Sequence, residues 1–322
     1  MTGGTVLVIT HWFDPTADFV VEELNRRHAT VMRFDTADFP HALSVTGRLG
    51  ADGWAGTLRA GERCVALDEV GGIYFRRPTT FGFGSLPGPA AEWARAEARS
   101  GLGGLLMAQR RWLNHPHRAG YADYKPVQLA EAVRAGLAVP QTLITNDAAE
   151  ARAFAGNVGQ VVYKALSPAR PPGPGEHPML YTSAVEPQHL AEGDDAVGVT
   201  MTLFQERITC QYAIRLTVVD GQMFAAAIHA HSPAAALDWR ADQAHLSYSR
   251  TDVPAPVAAG VRALMAALRL RFGAFDFLLT PAGEWVFLEV NPNGQWAFIE
   301  RATGLPIAAA IADALTCVEV LA

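Results

Sequence analysis

The stretch Phe272–Trp296, FGAFDFLLTPAGEWVFLEVNPNGQW, gathers residues whose types and spacing can hold a cation. Two apolar runs, Ala274–Thr280 and Trp285–Asn291, flank Pro281-Ala282-Gly283-Glu284, a hairpin-loop sequence. With those four residues as the loop, Thr280 pairs with Trp285, and Asp276 stands opposite Glu289. Period-2 alternation places Asn291 on the face of Glu289 and sends Val286, Leu288 and Val290 to the other face, into a core. Two facing carboxylates destabilise a bare sheet. A divalent cation removes that cost, and an oxygen site that also meets phosphate oxygens suits Mg²⁺. An edge hairpin with solvated acids is the plain alternative.

Several cationic residues stand where their surroundings ask for an anion. Lys125 falls in the first turn of a helix read over Ala122–Leu137, whereas cations prefer the last turn. It either points away or has an anion to meet. Lys164 interrupts the buried-looking strand Val161–Leu166, where a lone lysine snorkels to solvent or serves a site. Directly after it, Ser167–Pro178 is built on Pro and Gly, which no regular element survives, and reads as a mobile loop. Arg215 sits inside the strand Ile214–Val219, where a guanidinium is expensive to bury unless paired. Arg240 follows Asp238-Trp239 in the irregular segment Ser232–Tyr248. Arg76-Arg77 closes the strand Ile73–Phe75, as an anion site or a solvated pair.

The elements that must position these residues follow from pattern. Thr5–Thr10, a helix through Phe19, Val20 and Leu24, and Thr30–Phe34 make a β-α-β opening without GxGxxG. Leu43–Leu67 reads as Gly-punctuated hairpins and Pro89–Trp112 as a long helix, broken at Asn114-His115-Pro116. A strand at Thr142–Thr145, an Asn146 or Asp147 cap, and Thr200–Cys210 around Gln205-Glu206-Arg207 follow. Ile214–Val219 and Met223–Ile228 form a hairpin around Asp220-Gly221. The helix Pro256–Arg271 carries an apolar stripe of Val257, Val261, Leu264, Met265 and Leu268, with Gly273 suited to its C′ position. An Ala-rich helix, Pro306–Val320, closes the chain. The reading is α/β (α+β), with an N-terminal doubly wound-like domain over 1–118, a central domain over 119–198 and a C-terminal domain over 199–322.

The chain has 322 residues, half of them hydrophobic, and a net charge of −6. That length suggests two or three domains, and the charge gives no global attraction to nucleic acid or an anionic membrane. No apolar run approaches the roughly 20 residues that span a bilayer. The opening TVLVIT has no basic flank, so no secretory signal is expected. Cys64, Cys210 and Cys317 are widely spaced, which fits buried thiols in a reducing cytoplasm.

Lysine, lysine, Pro/Gly loop, Gln-Glu strand, arginines and Asp…Glu-x-Asn occur here in an order that resembles the ATP-grasp carboxylate ligases. YFRRP, KPVQLAEAVRAGLAVPQTLITND, IRLTVVDG, DWR and FLEVNPNGQW together resemble a narrower group, the graspetide (microviridin-type) macrocyclases of ribosomal peptides. The resemblance implies an ATP-grasp fold whose central and C-terminal domains clamp ATP. It matches Lys125 and Lys164 to the phosphates and Ser167–Pro178 to a lid. Gln205, Glu206, Arg207 and Ile208 match the adenine hinge, with Glu206 or a neighbour on the ribose. Asp276, Glu289 and Asn291 match the Mg²⁺ ligands. Arg215 and Arg240 are expected to hold the reacting carboxylate or its acyl phosphate, with an Arg240–Asp238 surface pair as the plain alternative.

What the resemblance implies as a partner is a precursor peptide, leader plus core, whose Asp or Glu side chains are joined to Thr or Ser as esters or to Lys as amides. Neither nucleic acid nor membrane is expected as a partner, and a homodimer is the commonest assembly. Two alternatives are an ATP-grasp ligase for a free amino acid or protein tail, and a nucleotide-binding module without catalysis.

Overall fold

The computed structural model describes residues 4–167, 181–186, 190 and 197–317. Asp14 caps the first helix through the N–H groups of Thr16 and Ala17, and Pro15 suits the first helical position. This fixes β1 (Thr5–Ile9), α1 (Pro15–Arg26) and β2 (Val31–Phe34) as a parallel unit. An antiparallel meander follows, β3 (Leu43–Gly50), β4 (Gly53–Ala60) and β5 (Arg63–Ala66). β6 (Val70–Phe75) returns beside β1, and after α2 (Gly88–Met107), β7 (Trp112–Leu113) completes a parallel sheet ordered β2-β1-β6-β7. Alternation along β1 serves two cores. Val6 and Val8 pack with Val20 and Leu24 of α1, while Leu7 and Ile9 pack with Leu102 and Leu106 of α2 and with the meander.

The expected helix Ala122–Leu137 is α4 (Lys125–Arg134), which starts three residues later, and a separate short helix, α3 (Pro116–Ala122), precedes it. Pro126 has no N–H to give and is tolerated only in a first turn, so the helix starts there. Asp147 caps α5 (Ala148–Val158). With β8 (Thr142–Thr145), β9 (Val161–Lys164), β10 (Ser183–Val185) and β11 (Thr202–Glu206) it forms the central unit, an antiparallel sheet ordered β10-β9-β11-β8.

The last sheet carries the hairpin of interest. β12 (Tyr212–Val219) and β13 (Gln222–Ala230) turn at Asp220-Gly221, both with positive φ. The segment read as irregular holds α6 (Pro233–Leu237), two 3₁₀ turns and an edge strand, β14 (Leu246–Arg250). α7 (Ala255–Leu268) ends at Arg269 in the left-handed conformation, φ 52°. Gly273 is therefore no helix cap. It lies inside β15 (Phe272–Leu279), where a Cβ would come within 2.9 Å of Val290 Cγ2. β15 pairs with β16 (Trp285–Asn291), and the sheet order is β14-β13-β12-β15-β16.

The hairpin differs from the simple count at two places that cancel. Trp285 pairs with Leu279 rather than Thr280, and a register shift between Asp276 and Phe277 restores Asp276 opposite Glu289. The irregularity also changes the core face. Phe287 and Val290 are buried with Phe275 and Phe277, whereas Leu288 is only half-buried.

One sheet face packs on α7 and α4 through Leu216, Phe275, Phe287, Leu264 and Leu129. The other joins α8 (Ala297–Thr303), α9 (Ile307–Thr316) and the N-terminal sheet in a single core containing Val6, Val8, Leu24, Phe272, Trp296, Ile299 and Ile311. Buried polar side chains also cross the seam. Arg76, expected as an anion site or solvated pair, is buried and donates from Nε to Asp14 Oδ2 at 2.8 Å, both side chains 1% exposed. It also reaches Gln295 Oε1 at 3.1 Å, and Thr16 bonds the same oxygen. Removing one member of such a pair strands a buried charge. We expect Arg76→Met to lower unfolding free energy by about 3–5 kcal/mol in urea titrations, and the double variant Asp14→Leu/Arg76→Met to recover part of it.

Candidate active site

Arg215 on β12, Asp276 on β15 and Glu289 on β16 are directly paired across three adjacent strands, so their side chains leave one face in a row. Arg215 Nη1 donates to Asp276 Oδ1 at 2.9 Å. Glu289 takes Lys125 Nζ on Oε2 at 2.5 Å and faces Arg240 Nη1 from Oε1 at 3.6 Å. The anion that a lysine at the start of a helix must meet is thus Glu289. Arg240 forks Asp238, Nε to Oδ1 at 2.9 Å and Nη2 to Oδ2 at 2.7 Å. Asp238 also accepts the Thr182 N–H at 3.0 Å, which ties this segment to the central unit. Trp239 covers Arg215, with the guanidinium carbon 5.4 Å from the ring centre, and stacks on Phe298 at 5.4 Å.

Burial acts on both carboxyls in the row. It raises the Glu289 carboxyl, but Lys125, Arg240 and Lys164 outweigh it and hold the group below its ordinary value. Asp276 goes the other way: burial and the Glu289 charge together outweigh Arg215. For Asp238 burial raises and the Arg240 fork lowers, and the fork wins. Lys164 on β9 is pushed down to about 8, first by burial and then by Lys125 and Arg240, with Glu289 opposing. Arg77 is lowered by burial and by Arg76, and Arg215 adds to this.

Asp276, Glu289 and Asn291 offer two carboxylates and an amide oxygen, the hard donors Mg²⁺ takes. The Asn291 Oδ1 already accepts the Asn293 N–H at 2.9 Å, which fixes its direction. Among the described residues no three His, Cys, Asp or Glu side chains gather as a metal site. A cage shared with phosphate oxygens and water, the usual Mg²⁺ arrangement, fits this donor set.

The four hinge residues are also placed. Gln205 is buried and donates to Thr142 Oγ1 at 3.0 Å, while its Oε1 has no partner among the described residues. The amides of Glu206 and Arg207 are bonded to the carbonyls of Gln141 and Gln160. Ile208 follows with no backbone partner for its N–H among the described residues. Glu206 lies near Gln141, with Oε2 3.3 Å from its side-chain nitrogen. The expected lid, Ser167–Pro178, lies outside the described residues beyond Ser167.

Sequence reasoning missed the buried side chains that hold this face. Asn114 Nδ2 donates to Phe272 O and Pro292 O at 2.7 and 3.0 Å, and its Oδ1 accepts the N–H groups of Arg271 and Phe272. Asp14 and Gln128 are similarly buried. The available signal was a polar residue on the apolar stripe of a helix, as Gln128 is beside Leu129 and Ala132.

Residues 5–117 match the family model described as the MvdD pre-ATP grasp domain. No curated protein sequence matches the chain. Among solved structures, an ATP-grasp ligase of Chryseobacterium gregarium associated with ribosomally synthesised, modified peptides, in complex with ADP and a leader and core peptide, is 27% identical. Its TM-score is 0.89 over 97% of this chain and 96% of that one. Macrocyclase MdnC of Microcystis aeruginosa, bound with precursor peptide MdnA, is 26% identical with TM-score 0.84 over 97% and 99%. Macrocyclase MdnB of the same organism is 32% identical, TM-score 0.79, over 97% and 99%.

The depressed Lys164 has a measurable consequence. A bound polyphosphate favours the charged amine, so binding above pH about 8 must draw a proton from solvent. ATP affinity should therefore weaken as pH rises through that value, with proton uptake in calorimetry across buffers. Lys164→Arg, charged throughout, should lose the uptake. Equal uptake in the two proteins would take Lys164 away from the phosphates.

Proposed function

Because the chain belongs to the ATP-grasp macrocyclases that modify ribosomally made peptides, we propose that the row Arg215–Asp276–Glu289 is where a side-chain carboxylate of a precursor peptide meets ATP. The protein is an ADP-forming carboxylate ligase. An oxygen of a core Asp or Glu forms a bond to the γ-phosphorus, and the bond to the bridging oxygen of ADP breaks. A Thr or Ser hydroxyl, or a Lys amine, then attacks the acyl carbon, loses its proton, and phosphate leaves. The product is a ring closed through an ester or an amide.

The chain's own residues serve this chemistry by position and charge. Lys125 and Lys164 meet the phosphates from α4 and β9, the first giving up its hold on Glu289. Asp276, Glu289 and Asn291 would hold Mg²⁺, which would supply neutralisation of the phosphate charge. Gln205, Glu206, Arg207 and Ile208 line the base and ribose, with the Ile208 amide as donor to the base. Arg215 and Arg240 offer their remaining donors to the peptide carboxylate and the acyl phosphate made from it, while Asp238 keeps the Nε and Nη2 edge of Arg240 and so orients its planar head. The single observation that carries the reading is the convergence on Glu289. Lys125, Arg240 and, through space, Lys164 reach one carboxylate from three separate elements. The partner is a precursor peptide, leader plus core.

Among the described residues, no helix is long and apolar enough to cross a membrane.

The direct test is incubation with ATP, Mg²⁺ and candidate precursor peptides that carry Thr- and Asp/Glu-rich cores. We expect ADP release and a peptide lighter by one water per ring in mass spectrometry. ADP release with a free amino acid, and no mass loss in the peptide, would make this a ligase of the intermolecular kind.

Two sets of variants test the roles. Glu289→Gln is close to isosteric and should abolish turnover with the fold intact by circular dichroism; native rates at ordinary Mg²⁺ would overturn the assignment. Arg215→Lys and Arg240→Lys keep the charge but lose the fork, so ring closure should slow by roughly 10²-fold or more while leader affinity is unchanged. Native rates in both would remove the carboxylate clamp.

A further inference from the structure

β16 is the last strand of its sheet, and it carries both Glu289 and Asn291. Its outer edge faces α4. Val290, the residue between those two, turns its side chain into the core, and its N–H and C=O point away from β15. Both groups are taken by one side chain. Gln128 Oε1 accepts the Val290 N–H at 2.9 Å, and Gln128 Nε2 donates to Val290 O at 2.8 Å. The same Nε2 donates to Ala122 O at 2.5 Å, at the end of α3. Gln128 is 3% exposed, and every hydrogen-bonding direction of its amide that these contacts use is fixed. It stands one helical turn after Lys125, so α4 grips β16 twice, by charge at Glu289 and by an amide at Val290.

We propose that Gln128 is a positioning residue for the metal: by holding the peptide groups of Val290 from outside the sheet, it sets the distance and direction between Glu289 and Asn291. This rests on the reading of Asp276, Glu289 and Asn291 as the Mg²⁺ ligands. The physical reason is local. Among the described residues the outer side of β16 meets backbone only near Val286 and Phe287, at Ala138, and the strand has a register irregularity just before Glu289. Without a second partner its end can twist or slip, and a slip of one residue sends a side chain to the other face. A carboxamide reproduces the donor–acceptor pair of a neighbouring strand at one residue. It fixes the strand where the two oxygen donors flank it and leaves their side chains free.

The test measures metal binding apart from turnover, using Mn²⁺ as the probe in electron paramagnetic resonance titrations of the ADP complex. Gln128→Met keeps the length and helix preference of the side chain and removes the amide. Mn²⁺ affinity should fall by about 10-fold or more, with ADP affinity in the absence of metal changed less than about twofold. The apparent Mg²⁺ requirement of turnover should rise in parallel. Should Gln128→Met not fold, Gln128→Glu supplies the same readout: its carboxylate still accepts the Val290 N–H but sets oxygen against Val290 O and Ala122 O, and Mn²⁺ affinity should again fall. A folded variant of either kind with native Mn²⁺ affinity overturns the inference. Glu289→Gln is the control that separates the two readings. If it abolishes Mn²⁺ binding while Gln128→Met does not, only the role of Gln128 fails. If it too binds Mn²⁺ normally, the metal assignment itself is wrong.

Discussion

Two carboxylates set side by side on buried strands cannot both remain charged without cations close by, and the placement of the other parts follows from that need. Arg215 comes from the same sheet, Lys125 from the helix against its edge, Arg240 from the segment after α6, and Lys164 from the central sheet. No two of the last three share an element. The carboxylate row is therefore also the point at which the central and C-terminal parts of the chain are held in register with each other. The fork on Asp238, with the Thr182 amide on the same carboxylate, adds a second tie nearby.

The N-terminal sheet enters the same arrangement from below. It shares an apolar core with α8, α9 and one face of the C-terminal sheet, so it is not a bead on a linker. Arg76 passes its bond from Asp14 to Gln295, four residues past the end of β16, and Asn114 holds the carbonyl of Pro292 between them. The backbone that follows the carboxylate row is thus secured by residues far away in sequence. Gly294 fits here because a Cβ would press within 2.4 Å of Ala274.

Much of this was legible in the sequence because its signals are local. Alternation and a Pro-Ala-Gly-Glu loop are enough to bring Asp276 opposite Glu289, although the loop is one residue longer than counted and the irregularity after Asp276 makes up the difference. The helix stripe from Val257 to Leu268, the Asp147 cap and the turn at Asp220-Gly221 are likewise short-range patterns. What was illegible depends on partners distant in the chain. Nothing near Arg76 announces Asp14, since Asp14 before Pro15 reads as a cap and is one. Gln128 looks like an ordinary polar helical residue until Val290 is brought beside it. The helix read from Ala122 starts only at Lys125, where Pro126 fits its first turn, and the short α3 before it was not read.

The capping of β16 also bears on how the chain behaves when it is only partly folded. Gln128, together with the Ala138 carbonyl that accepts the Phe287 N–H at 2.8 Å, covers the outer side of a strand otherwise rich in Trp, Val, Phe and Leu. An uncovered strand of that composition is a template for pairing with another chain. The cover consists of α4 and the few residues after it, which must dock from outside the sheet. A chain in which that helix has not yet docked presents a sticky hydrophobic edge, so the residues that hold the strand for chemistry also guard the protein against self-association during folding.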